Sequence, residues 1–208
     1  GDLSEATQRL LTRVSNLGIP IRRESGRELR RMNASEDAAD VLALVGPPPV
    51  QSLEELMAAD GIVFVLVGLR YPGNVGYILR CLEVAGGAGV VLDNDWEAPQ
   101  RDEALRVGMC PDRFFPVLDA PSGEAVAAAR AAGRRVVALE TSGRVSPWEA
   151  RLVGPLAVIV GSETTGVPRA LLEKADEVVA IPVDGFIPSY NVQAAVGIVL
   201  GEWMRQNS

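Results

Sequence analysis

The sequence predicts an α/β protein whose main body is a parallel sheet covered by helices on both faces. Three observations carry this. From Gly61 onward, short apolar runs alternate with helix-forming segments. The runs are apolar throughout rather than at every second residue, the pattern of strands buried on both sides. Glycine, proline and polar residues gather directly after three of these runs, at what would be one edge of the sheet.

Along the chain, residues 4–16 place Leu10, Leu11 and Val14 on one helical face. A short strand about Ile19–Arg23 and a small helix about Arg27–Met32 follow. Val41–Val45 reads as a buried strand, stopped by Gly46-Pro47-Pro48-Pro49. Residues 1–46 therefore read as helix–strand–helix–strand, which is small for a full α/β domain. Residues 47–60 are expected to be a linker, carrying a helix Gln51–Ala59 with Ser52 as cap and Glu55 three residues on. In 61–208 the expected strands are Ile62–Leu69, Val90–Leu92, Phe114–Leu118, Val136–Glu140, Leu156–Val160 and Val178–Ile181. The helices are Val75–Ala85, Glu103–Gly108, Gly123–Ala132, Pro168–Ala175 and Asn191–Arg205.

Composition excludes several classes of function. Hydrophobic residues make up 48% and charged residues 23%, values ordinary for a globular domain. No apolar run reaches the ~18 residues of a membrane span, and Gly1–Arg13 lacks the order of a signal peptide. Cys81 and Cys110 make neither a disulfide framework nor a metal quartet, so a reducing cytoplasm is the expected setting. Histidine is absent, which removes Ser-His-Asp triads and nearly every zinc site, and no metal is expected. The net charge of −7 is unevenly spread: residues 1–33 carry +3 and the rest −10. Arg22, Arg23 and Arg27 lie in the positive part, where phosphate contacts are expected, although a solvated helix face gives the same run.

The three polar strand ends are the candidate chemistry. The first is Arg70-Tyr71-Pro72-Gly73-Asn74-Val75-Gly76-Tyr77-Ile78-Leu79-Arg80. Asn74 and Arg80 lie about 1.7 helical turns apart, and both address one end of the sheet if Asn74 precedes the helix proper. A plain turn with Asn74 as cap fits as well. The second is Gly161-Ser162-Glu163-Thr164-Thr165-Gly166-Val167-Pro168. Glu163 can hold a substrate hydroxyl or a cation there, or simply favour a helix start; the segment is neither a P-loop nor a dinucleotide fingerprint. The third runs from Ile181-Pro182-Val183-Asp184-Gly185 through Ser189-Tyr190-Asn191. It holds more proline and glycine than a turn needs, with Ser189 as a possible helix cap.

Together and in this order the segments resemble the three motifs of the TrmH/SpoU family of SPOUT RNA methyltransferases. Pro72, Asn74, Gly76, Ile78 and Arg80 match the first motif, and Gly161, Ser162, Glu163 and Gly166 the second. Ile181, Pro182, Gly185, Ser189, Asn191 and Val192 match the third. The resemblance covers about 61–205, and residues 1–46 resemble the later part of the small substrate-binding domain that many members carry. It implies a SPOUT-type trefoil-knotted domain, S-adenosylmethionine as cofactor and 2′-O-methylation of a ribose in rRNA or tRNA. It also implies a homodimer with Arg80 reaching towards the partner's cofactor. Arg80, Asn74, Glu163, Ser189 and Asn191 would form the catalytic set. Leu139, Glu140, Thr141, Gly161, Ile181, Val183, Gly185 and Tyr190 would bind the cofactor. The apolar stripe Val192, Val196, Val199 and Trp203 on the last helix is the expected dimer interface, the alternative being that it packs on the chain's own sheet.

Five positions depart from the motifs: Tyr77, Thr164, Pro188, Tyr190 and Gln193. Tyr77, Thr164, Pro188 and Tyr190 motivate one alternative, a non-catalytic RNA-binding module with the same fold. A second alternative is an α/β enzyme acting on a small phosphorylated metabolite.

Overall fold

The computed structural model describes residues 3–33, 40–43 and 49–208. The chain divides into two compact units, Gly1–Gly46 and Pro47–Ser208.

In the first unit, α1 (Glu5–Asn16) is capped by Ser4, whose hydroxyl accepts from the Thr7 amide, and α2 spans Gly26–Met32. The strand expected about Ile19–Arg23 does not form. Ile19 and Ile21 are exposed and have no ladder partner among the described residues, and a strand without a neighbour leaves its backbone groups to water. Of the second expected strand, residues 41–43 are irregular and residues 44–45 lie outside the described ones.

The second unit holds six parallel strands in the order β3-β2-β1-β5-β4-β6. They are β1 (Ile62–Val67), β2 (Gly89–Asp93), β3 (Val117–Asp119), β4 (Arg135–Leu139), β5 (Leu156–Val160) and β6 (Glu177–Val179). The helices are α3 (Leu53–Ala58), α4 (Pro72–Val84), α5 (Ala98–Val107), α6 (Ser122–Ala131), α7 (Arg169–Leu172) and α8 (Val192–Asn207). Strand β1 shows why its sequence is apolar throughout. Ile62, Phe64 and Leu66 pack with α4, α5 and α8, while Val63, Val65 and Val67 pack with α3, α6 and α7. Successive side chains point to opposite faces, and each such burial contributes about 1.5–3 kcal/mol.

Several boundaries differ from the sequence expectation for identifiable reasons. Pro72 occupies the first helical position of α4, where its missing amide costs nothing. Asn74 therefore lies inside the first turn rather than before it. Gly76 is needed where α4 meets α5, since a Cβ there would sit 2.6 Å from the Ala104 carbonyl. β3 is shorter than expected because a single 3-10 turn, Pro111–Arg113, takes up the preceding residues.

The stripe Val192, Val196, Val199 and Trp203 is not an outer surface. It is buried in the core beside α4, so the expected interface is corrected here. The outward face of α8 instead carries Ala194, Gly197, Gly201 and Met204.

Helix α3 belongs to this unit as firmly as any strand. Leu56 and Met57 are buried, and the guanidinium of Arg134 closes the end of the helix. Its Nε donates to the Met57 carbonyl at 2.8 Å, and Nη1 donates to Gly61 at 2.7 Å and Leu156 at 3.1 Å. Nη2 donates to the carbonyls of Leu56 and Ala59. Burial pulls the Arg134 pKa down, and the Asp60 carboxylate partly offsets this. Replacing Arg134 by Met would leave several buried carbonyls without a donor. It is expected to lower the unfolding free energy by at least ~3 kcal/mol, read as a fall in the urea midpoint. An unchanged midpoint would show that these carbonyls find other partners.

Candidate active site

All the strands end on one edge, and there β1, β5 and β6 release the three polar segments. In an open α/β sheet ligands bind at this edge, where the strand order reverses. Here the order reverses between β1, which leads on to β2 and β3, and β5.

A chain of side-chain hydrogen bonds joins the three segments. Asn191 Nδ2 donates to Asn74 Oδ1 at 3.4 Å. Asn74 Nδ2 donates to Glu163 Oε1 at 2.8 Å. The Arg70 amide donates to Glu163 Oε2 at 3.3 Å. These partners lie 117, 89 and 93 residues apart in sequence. Each amide uses both ends, because Asn191 Oδ1 also accepts from the Gln193 amide at 2.9 Å and so caps α8. The helix cap is Asn191, not Ser189. Ser189 and Arg80 are exposed, and neither makes a side-chain hydrogen bond among the described residues.

Beside this relay, at the ends of β4 and β6, lies a cleft of about 340 Å³. Thr141, Ile181 and Val183 line it, as the sequence led us to expect of cofactor-binding residues. Leu139 ends β4 below Thr141, and Gly185 and Tyr190 lie on the exposed loop that follows β6. Glu140 is a brace. Its carboxylate accepts from the Val167 amide at 2.7 Å and from the Thr141 amide at 2.8 Å, tying the β4 loop to the β5 loop. Gly166 makes that approach possible, since a Cβ there would lie 2.2 Å from a Glu140 carboxylate oxygen, and Gly161 lets the β5 loop fold back on itself, since a Cβ there would lie 2.1 Å from the Gly166 carbonyl carbon.

The sequence reading missed Arg144, Ser146 and Glu149 on the cleft wall. The Ser146 hydroxyl and amide donate to Glu149 Oε2 at 2.6 and 3.1 Å. These two bonds, the hydroxyl's first, hold the Glu149 carboxyl below the usual carboxylate range, so it is ionised at neutral pH. The signal was the long connection from β4 to β5, which exceeds the usual length of a strand–helix turn.

The model of the SpoU rRNA methylase family matches residues 61–201, which includes the relay and the cleft. The chain belongs to the SpoU rRNA methylase family. It is 30% identical to the uncharacterized tRNA/rRNA methyltransferase of Mycobacterium ulcerans, over 97% of this chain and 68% of that protein. It is also 30% identical to the 23S rRNA (adenosine(1067)-2'-O)-methyltransferase of Streptomyces laurentii, over 95% of this chain and 74% of that one. Among solved structures it resembles the AdoMet-bound rRNA methyltransferase of Sinorhizobium meliloti, with a TM-score of 0.69 and 30% identity, over 75% of this chain and 61% of that one. The parallel α/β architecture is thus the SPOUT methyltransferase fold. As a SpoU member the chain keeps the motif side chains in mutual contact where the structure can show it, at Asn74, Glu163 and Asn191.

Asn191 has two separable duties, capping α8 and holding Asn74. Asn191→Ala is expected to lower stability by about 1 kcal/mol through the lost cap. Asn191→Ser keeps the cap but cannot reach Asn74, so it should restore the urea midpoint without restoring the relay. Equal losses in both variants would refute this division.

Proposed function

We propose that this chain moves a methyl group from S-adenosylmethionine to a ribose 2′-hydroxyl of rRNA or tRNA, as a homodimer in the cytoplasm. The observation that carries the reading is the Asn191–Asn74–Glu163 relay joining three loops beside an open cleft. Among the described residues no helix is long and apolar enough to cross a membrane.

The cleft suits the cofactor chemically. Arg144 and the ionised Glu149 place opposite charges on its wall, as a zwitterionic amino acid bearing a sulfonium requires. Thr141, Ile181 and Val183 would hold the cofactor, together with the loop backbone at Leu139, Gly161, Gly185 and Tyr190, while Glu140 braces the β4 and β5 loops around it. When bound, S-adenosylmethionine supplies an electrophilic methyl group. The protein's part is alignment, which can lower a barrier by several kcal/mol. Glu163 and Asn74 fix the floor on which the ribose sits, and Asn191 holds Asn74 in register. Ser189 is free to donate to the ribose or its phosphate. A guanidinium is a poor general base; Arg80 clamps the phosphate and stabilises the developing oxyanion.

Arg80 supports the dimer reading. It projects from an exposed face of α4 that also carries Tyr77, Cys81 and Val84. α4 packs on α8, whose outward face offers small side chains for close approach. A second copy on this surface would receive Arg80 in its own site. In the first unit, Arg22, Arg23 and Arg27 are exposed, and on this reading they would meet RNA phosphates.

Arg80→Ala is expected to reduce methyl transfer to bulk cellular RNA at least ~100-fold, with cofactor affinity by calorimetry unchanged. Mixing it with an inactive Glu163→Ala chain should then restore roughly a quarter of parental activity, since each mixed dimer regains one composite site. No recovery on mixing would place Arg80 in its own subunit's site, and no heat with millimolar S-adenosylmethionine would leave only an RNA-binding module. Replacing Arg22, Arg23 and Arg27 by Gln should lower the salt slope of RNA binding by roughly one unit per lost contact. An unchanged slope would place RNA recognition wholly in the second unit.

A further inference from the structure

The two ends of the relay are each flanked by a tyrosine that the relay does not use. Tyr71 adjoins Arg70, whose amide bonds Glu163, and Tyr190 adjoins Asn191. Their exposures are 62% and 48%, and Phe186, on the loop between β6 and α8, is 105% exposed. By contrast Phe64 and Phe115 are core residues. Rings so exposed cost free energy in water unless something covers them. The exposed Arg70 adjoins Tyr71 in the chain, and the exposed Arg80 lies on α4, the helix that Tyr71 precedes. Aromatic rings interleaved with arginines are what unpaired nucleotides need, because every base offers a face for stacking and every linkage a phosphate. An A-form helix offers its bases only edge-on, already stacked on each other.

On the methyltransferase reading above, we infer that Tyr71, Phe186 and the ring of Tyr190 form a stacking platform for the unpaired bases around the target nucleotide. The enzyme thus takes its ribose from a single-stranded stretch of RNA rather than from a helix. Tyr71 and Phe186 are the specificity-determining residues of this platform, and neither belongs to the relay or the cleft.

The test uses the full chain with S-adenosylmethionine and two labelled probes, a twelve-nucleotide unpaired RNA of mixed sequence and the same RNA as a duplex. Fluorescence anisotropy gives the affinities. The parent should bind the unpaired probe at least tenfold more tightly than the duplex. Tyr71→Ala and Phe186→Ala should each weaken unpaired binding about tenfold and leave duplex and cofactor binding as they were. Tyr71→Trp and Phe186→Trp should restore it, which a merely structural role would not require. Equal binding of both probes by the parent, or parental binding by both alanine variants, overturns the platform. So does an alanine variant that turns a dimer into a monomer, since the rings would then be a contact between copies. Methyl transfer to bulk RNA is followed in parallel. If it persists while the platform fails, the methyltransferase reading stands, and if the parent transfers nothing, that reading fails by itself.

Discussion

The pairing of β1 with β5 is the contact on which the rest of the fold depends. Ile62 aligns with Leu156 and Leu66 with Val160, strands almost a hundred residues apart in sequence. Closing so long a loop is entropically unfavourable, and the pair is secured at both ends. At the amino edge Arg134 reaches the carbonyl of Gly61, just before β1, and that of Leu156, the first residue of β5. At the carboxyl edge Glu163, two residues beyond Gly161, takes the amide of Arg70 and the side chain of Asn74. The polar contacts that build the site are thus also the ones that hold these two strands in register.

That double use explains what was legible in the sequence. A strand buried on both faces must be apolar throughout, so the four inner strands of the second unit could be read directly, β5 to the residue, while the less buried edge strands β3 and β6 share only two residues each with their expected ranges. Their order could not, because apolar content reports burial and not the neighbour that provides it. The last helix shows the same limit. Its apolar stripe announced a covered face, and the cover is the chain's own sheet and α4 rather than a second copy. In the first unit Ile19 and Ile21 carry a strand-like composition without a partner to pair with, and composition alone cannot supply one.

The candidate site divides along similar lines. Residue types at strand ends pointed to Asn74, Glu163 and Asn191, but their wiring joins segments too distant for spacing to reveal. Glu140, expected among the cofactor-binding residues, ties the β4 loop to the β5 loop, and a carboxylate that ties two loops looks in sequence like one that faces a ligand. Ser146 and Glu149 were overlooked since a Ser-x-x-Glu pair in a loop reads as a local turn. It is one, and that turn is also what fixes a negative charge on the cleft wall.

The positions that depart from the family motifs gain a common explanation. Tyr77, Thr164, Pro188 and Tyr190 are all exposed, and Gln193 enters the relay only through its backbone amide. Thr164 keeps its hydroxyl against Ser162 within its own loop. None of these side chains lies between Asn191, Asn74 and Glu163, so each could change without loosening the bonds that hold β1, β5 and α8 together. These departures face outward, towards whatever the edge of the sheet receives, while Asn74, Glu163 and Asn191 turn towards one another. A fold that fixes its site with the same contacts that fix its central strand pair leaves the surrounding surface free to be shaped for a particular RNA.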